Sequence, residues 1–184
     1  MLFTKTDIPE IILIEPKVFR DQRGYFFESF NQREFQQQVK EINFVQDNES
    51  KSIRGVLRGL HFQKPPFAQA KLVRCIQGKV LDVVVDIRKN SPTYGKHISV
   101  ELSEDNKKQL FIPIGFAHGF VTLSEKAIIA YKVDNWYAPK YDSGIIWNDA
   151  CLNIDWKISL EETLLSNKDT ALSTFKDLDT PFNY

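Results

Sequence analysis

Several things are missing from this sequence. No stretch of its 184 residues reaches the ~20 consecutive apolar residues that cross a bilayer. The opening MLFTKTDIPE has no apolar core long enough for a signal peptide, so no membrane partner is expected. Net charge is absent too: 24 Lys and Arg balance 24 Asp and Glu. No global field points to nucleic acid, and any anion must be met by a local patch. Two cysteines, Cys75 and Cys151, make no disulfide framework and are expected to be reduced core thiols of a cytoplasmic protein. Linkers, charge blocks, repeats and low-complexity segments are absent, so a single domain over 1–184 is expected. Such a chain can bury roughly 70% of its unfolded surface. With 42% hydrophobic and 26% charged residues it reads as globular and not as disordered.

What is present is mostly β-pattern. Ile8–Val18 is strand-like but carries Pro9 and Pro16, which predicts a sheet edge. Asp21–Gly24 is a turn. Asn31 followed by Glu34 has capping-box order and predicts a short helix to about Lys40. From residue 53 to 137 short strands alternate with turns. In KVLDVVVDI, Leu81, Val83, Val85 and Ile87 share one face, with Asp82 and Asp86 opposite. Short strands at this spacing predict a β-sandwich or small barrel, with its core at about 44–156. Ser159 and Ser166 both look like helix starts, which predicts a helical cap over about 159–180.

The stretch Arg54–Arg74, RGVLRGLHFQKPPFAQAKLVR, places Arg54, Arg58, Lys71, Arg74 and a histidine in buried-looking β-pattern. Cations seldom enter a core without a partner. A lone histidine on a strand is more often structural than catalytic, but His61 has company in Lys71, Tyr131 and His118. Histidine, tyrosine and lysine together supply a base, an acid and an oxyanion stabiliser. A metal is not expected. Barrel metal sites favour two histidines one residue apart, whereas Gln63 stands two after His61 and His97 lies elsewhere. Arg23, Arg58 and Lys168, beside glycines or at a helix start, suit phosphate oxygens. Tyr25, Phe26, Trp136 and Tyr137 could stack on a flat base.

These residues lie in segments that resemble the dTDP-4-dehydrorhamnose 3,5-epimerase family. The matching segments are DQRGYFFESFN (21–31), FVQDNES (44–50), VLRGLHFQ (56–63), KLVRC (71–75), VDIRKNSPTYG (85–95), IPIGFAHGFVTLSE (112–125), YKVDNWYAP (131–139) and SGIIWND (143–149). They cover nearly the whole chain in family order. The resemblance implies a mainly β, double-stranded β-helix (cupin or jelly-roll barrel) with short N- and C-terminal helices. It also implies a homodimer that works without cofactor or metal. By motif, His61 would be the base, Asp169 its partner, Tyr131 the acid and Lys71 the lysine near the sugar keto oxygen. Arg23, Glu28, Gln46, Asn48, Arg58, His118, Asp142 and Lys168 match substrate-contacting positions. The sequence departs from the family pattern at Asp142, where many members have glutamate, at Glu49, often histidine, and at Ile53, usually more polar.

The chemistry of such a reaction fits these residue types. A ketone at carbon 4 acidifies the protons at carbons 3 and 5, because the carbanion delocalises onto oxygen. A histidine titrates near neutrality and an ammonium stabilises the oxyanion, while inversion needs a second proton carrier on the other face of the ring. Relatives that epimerise one carbon only, and a silent nucleotide-sugar-binding cupin, remain alternatives. A ketoisomerase is disfavoured by the single histidine on the His61 strand.

Overall fold

The computed structural model describes residues Met1–Tyr184. Two antiparallel sheets face each other. The first runs β1 (Leu2–Lys5), β2 (Ile12–Glu15), β10 (Gln109–Ile112), β7 (Lys71–Gln77), β12 (Lys126–Val133) and β5 (Gln46–Ile53) across its width. The second runs β13 (Asp142–Gly144), β6 (Leu57–Gln63), β11 (Phe116–Thr122), β8 (Lys79–Asp86) and β9 (His97–Ser103). A separate hairpin of β3 (Phe19–Asp21) and β4 (Gly24–Phe26) stands off both. Strands next to each other in a sheet are often distant in sequence, as expected of a jelly roll.

Strand alternation divides the apolar residues into three layers. On β8, Val80 and Val84 point between the sheets, where they meet Val73, Leu110, Phe120 and Ile129. Leu81, Val83 and Val85 point the other way, into a layer with Trp147, Trp156 and Phe182. The period-two pattern is therefore real, but neither face of β8 meets water, and Asp82 and Asp86 are both fully buried. The third layer covers the part of the outer face of the six-stranded sheet formed by Ile12, Ile14, Leu72 and Phe111. Here Phe35 of helix α1 (Gln32–Gln38) packs edge-on against Phe111, with ring centroids 5.2 Å apart, and against Phe44 at 5.6 Å.

Helix α1 begins where its cap dictates: the Asn31 side chain accepts from the Glu34 N–H at 3.2 Å. The reciprocal half of the capping box does not form, because Glu34 binds the Met1 ammonium at 2.6 Å. The prolines flank β2 and do not enter it, and β2 pairs on both sides, so the sheet edge is β1 and not the Pro-bearing run. Cys75 is buried, but Cys151 is exposed in a turn, contrary to its apolar surroundings in sequence.

The C-terminal region is less helical than its caps predict. Ser159–Glu162 closes only a turn, and α2 is the single turn Asn167–Thr170. The rest lies extended across the five-stranded sheet, bridging Leu164 to Val56, Ser173 to Ile145 and Asn183 to Lys89. Leu165, Phe175, Leu178 and Phe182 each pack into the layer of Trp147 and Trp156 from this extended segment and not from a helix.

Truncating Phe35 should open a cavity among the three rings of Phe30, Phe44 and Phe111. Phe35→Ala is expected to cost about 3–5 kcal/mol, read as a lower urea midpoint at unchanged slope; a change within about 0.5 kcal/mol would mean that α1 contributes little to the fold.

Candidate active site

At one end of the space between the sheets the apolar filling gives way to a cavity of about 460 Å³. Alternation supplies its walls. From the six-stranded sheet come Gln46, Asn48 and Ser50 of β5, Lys71 of β7 and Tyr131 of β12. From the five-stranded sheet come His61 and Gln63 of β6, His118 and Phe120 of β11 and Asp142 of β13. The C-terminal segment closes the ring with Ser166, Lys168 and Asp169. His61 and His118 are direct partners in the β6–β11 ladder.

Glycine makes that ladder possible. Gly59 has φ +137°, and a Cβ there would lie 2.5 Å from Gly119 Cα on the neighbouring strand. Two glycines thus let β6 and β11 approach closely just before the chain reaches His61 and just after it leaves His118.

Each imidazole has its own carboxylate. His61 Nε2 lies 2.6 Å from Asp169 Oδ1, although its N–H direction is not aligned for a hydrogen bond. Asp169 itself is 3% exposed and is held by the Ser166 hydroxyl, which donates at 2.5 Å, and more loosely by the Gly59 N–H at 3.4 Å. Burial alone would raise its pKa, but His61 and Ser166 outweigh burial and hold it below the ordinary carboxylate value. His118 Nε2 sits 3.0 and 2.9 Å from the two oxygens of Asp82. Burial nevertheless leaves the His118 pKa lowered, with Asp82 opposing the shift and Lys71 and His61 adding to it.

The remaining groups are tuned by the same desolvation. Burial brings the Lys71 ammonium down to about 8, against the pull of Asp82 and Asp142. Burial raises the Tyr131 phenol, with Arg58 opposing and Tyr137 and Asp142 adding, so it stays protonated at neutral pH. Arg58 reaches Ser52 Oγ from Nε at 3.2 Å. At the mouth, the Tyr137 hydroxyl donates to Asp142 at 3.1 Å and Lys168 pairs with the same carboxylate. Gln46 donates to Asn48 at 2.8 Å. No group of three His, Cys, Asp or Glu side chains is placed to hold a metal ion.

Ten of the twelve residues that sequence marked thus share one cavity, and two do not. Arg23 sits in the β3–β4 turn, exposed and paired with Asp21 at 2.6 Å, and Glu28 accepts from Asn31 at 3.2 Å. Neither lines the cavity of its own chain, because the hairpin stands away from both sheets. The sequence reading also missed Ser50, whose buried hydroxyl has no partner, and Gln63, Gln69 and Ser166. The signal for Ser50 was present: Gln46, Asn48, Ser50 and Ser52 put a polar group at every second position of one strand face.

Comparisons with known proteins agree with one another. A family model described as dTDP-4-dehydrorhamnose 3,5-epimerase matches residues 5–177. A protein of that name from Salmonella typhimurium is 56% identical over 93% of this chain and 93% of its own length. Its namesake from Shigella flexneri is 54% identical over 95% of this chain and 96% of its own. A solved dTDP-6-deoxy-D-glucose-3,5-epimerase from Legionella pneumophila, in complex with dTDP-4-keto-L-rhamnose, superposes with a TM-score of 0.93 at 45% identity. That superposition covers 97% of this chain and 94% of the other.

The depressed Asp169 pKa has a consequence for stability. The unfolded chain binds the extra proton, so this contribution is full above about pH 4 and is lost as pH falls through the folded value. Asp169→Asn is expected to lower stability at pH 7 and to flatten the acid limb of urea unfolding below about pH 4. An acid limb as steep as that of the wild type would assign it to other carboxylates.

Proposed function

The chain belongs to the dTDP-4-dehydrorhamnose 3,5-epimerase family, and from that premise we propose the following reaction and residue roles. The substrate is dTDP-4-dehydro-6-deoxy-D-glucose, the product dTDP-4-dehydro-L-rhamnose, and carbons 3 and 5 are both inverted. The observation that carries the reading is the position of His61 with Asp169 on one sheet's side of the cavity and Tyr131 on the other.

At each carbon in turn, His61 takes the proton next to the ketone, and the bonding pair moves onto the keto oxygen as an enolate. Asp169 stabilises the imidazolium that forms, and the ammonium of Lys71 stabilises the oxyanion in a site screened from water. The Tyr131 phenol then delivers a proton to the opposite face of the carbon. The enolate pair re-forms the C–H bond, and solvent then takes the captured proton from the His61 imidazolium and returns one to the Tyr131 phenolate. A base and an acid on facing sheets suit inversion, since one side chain cannot reach both faces of a ring. Arg58, His118, Gln46, Asn48, Asp142 and Lys168 would hold the nucleotide sugar, and the chemistry requires no metal or cofactor.

Arg23 and Glu28 match substrate-contacting positions yet lie outside the chain's own cavity. This supports a homodimer in which the β3–β4 hairpin, with Phe19, Tyr25 and Phe26 exposed, reaches the cavity of a second copy. The localisation would be cytoplasmic, where nucleotide sugars are made.

In deuterium oxide the enzyme should place label at both carbon 3 and carbon 5 of the substrate. Label at one carbon only would make it a single-position epimerase, and none at either would leave a binding module. His61→Asn is expected to remove exchange at both carbons by at least ~10²-fold, while Tyr131→Phe should harm net inversion more than exchange. The dimer has its own test. Mixing inactive Arg23→Ala and His61→Asn chains after joint refolding should restore part of the activity, because one site of each mixed dimer is then intact. No recovery in a mixture shown to contain mixed dimers would confine Arg23 to its own subunit.

A further inference from the structure

One more carboxylate lies beneath the cavity floor without lining it. Asp82 of β8 is fully buried. Its ladder partners are Phe120 of β11 and Val100 of β9, and Val80 and Val84 stand two residues away on the same face. In this apolar layer its one hydrogen-bond partner is His118, at 3.0 and 2.9 Å. A single neutral donor does not compensate a buried negative charge, which calls for a cation nearby. Among the charges acting on the Lys71 ammonium, Asp82 favours it most, ahead of Asp142 and against Lys168. The cavity's own carboxylates are already engaged, Asp169 with His61 at 2.6 Å and Asp142 with Lys168 and Tyr137, whereas Lys71 forms no close ion pair; His118 and Tyr131 are the other titratable groups on that side.

We propose that Asp82 is a positioning residue: its buried carboxylate keeps Lys71 protonated at neutral pH and fixes the proton of His118 on Nε2. The inference rests on the reading of Lys71 as the oxyanion partner. Two consequences follow for the cavity. Lys71 meets the enolate as an ammonium although burial works against its charge. His118 keeps a lone pair on Nδ1, so it can accept a hydrogen bond from a sugar hydroxyl and does not add a second cation beside Lys71. Burial already places the Lys71 pKa at about 8, so little margin separates the charged form from the neutral one.

The test follows the Nζ resonance of Lys71 against pH by nitrogen-15 NMR on the lysine-labelled chain. In the wild type Lys71 should be protonated at pH 7. The near-isosteric Asp82→Asn should move its midpoint down by at least ~1 pH unit, a tenfold change in the protonation equilibrium. The alkaline limb of kcat/KM should move down with it, while the affinity for dTDP is retained. A neutral Lys71 at pH 7 in the wild type would overturn the proposal and does not depend on the variant folding. So would an unmoved midpoint in a folded Asp82→Asn. A chain that exchanges no deuterium but shows the shifted midpoint would remove the epimerase reading and leave the assignment of Asp82 standing.

Discussion

Charge buried between two packed sheets has to be paired, and this requirement organises much of the molecule. His61 meets Asp169, His118 meets Asp82, and Lys168 meets Asp142. Away from the cavity, Arg88 binds Asp86 and Glu10 while its guanidinium lies over the rings of Phe116 and Tyr184. Desolvation of an unpaired ion would cost more than any of these contacts returns. The long C-terminal segment is drawn into the structure by the same need. It delivers Asp169 to His61 and seats Leu165, Phe175 and Phe182 on the five-stranded sheet.

The two-sheet arrangement also explains how one cavity can hold groups with opposed tasks. Lys71 and Tyr131 stand on one sheet and His61 and His118 on the other, so a flat ring between the sheets has a different neighbour on each face. The apolar filling of Val73, Ile129 and Phe120 below keeps water from that end, so burial can shift Lys71 and Tyr131 in opposite directions. Both shifts bring the group closer to neutrality, and neighbouring charges decide how far each goes.

Outside the barrel the chain is held less uniformly. The β3–β4 hairpin touches the body chiefly through Lys107, whose ammonium lies 4.1 Å from the centroid of Tyr25 and 2.9 Å from its hydroxyl. Exposed aromatic side chains on a hairpin with so few attachments are characteristic of surfaces that are completed by another molecule. On the outer face of the six-stranded sheet, by contrast, the part around Ile12, Leu72 and Phe111 has its own cover in α1 and the Phe30, Phe35 and Phe44 rings.

The sequence by itself determined the strand-rich architecture, the caps at Asn31 and Ser166, and the family, since alternation, turn residues and motifs are local and read in order. It also marked His61, Lys71 and Tyr131, because a titratable residue in an apolar strand pattern stands out without knowledge of its neighbours. Tertiary structure decided what each of these meets. Periodicity separated Asp82 from Leu81 and Val83 but not barrel interior from solvent, so a fully buried carboxylate read like a surface one. Cap signals at Ser159 could not reveal that Ile158 and Leu165 would be taken by the layer under Trp156, which leaves only a turn between them. The places of Arg23 and Glu28 were likewise outside its reach, since they depend on where a hairpin points, and that is set by packing between distant residues.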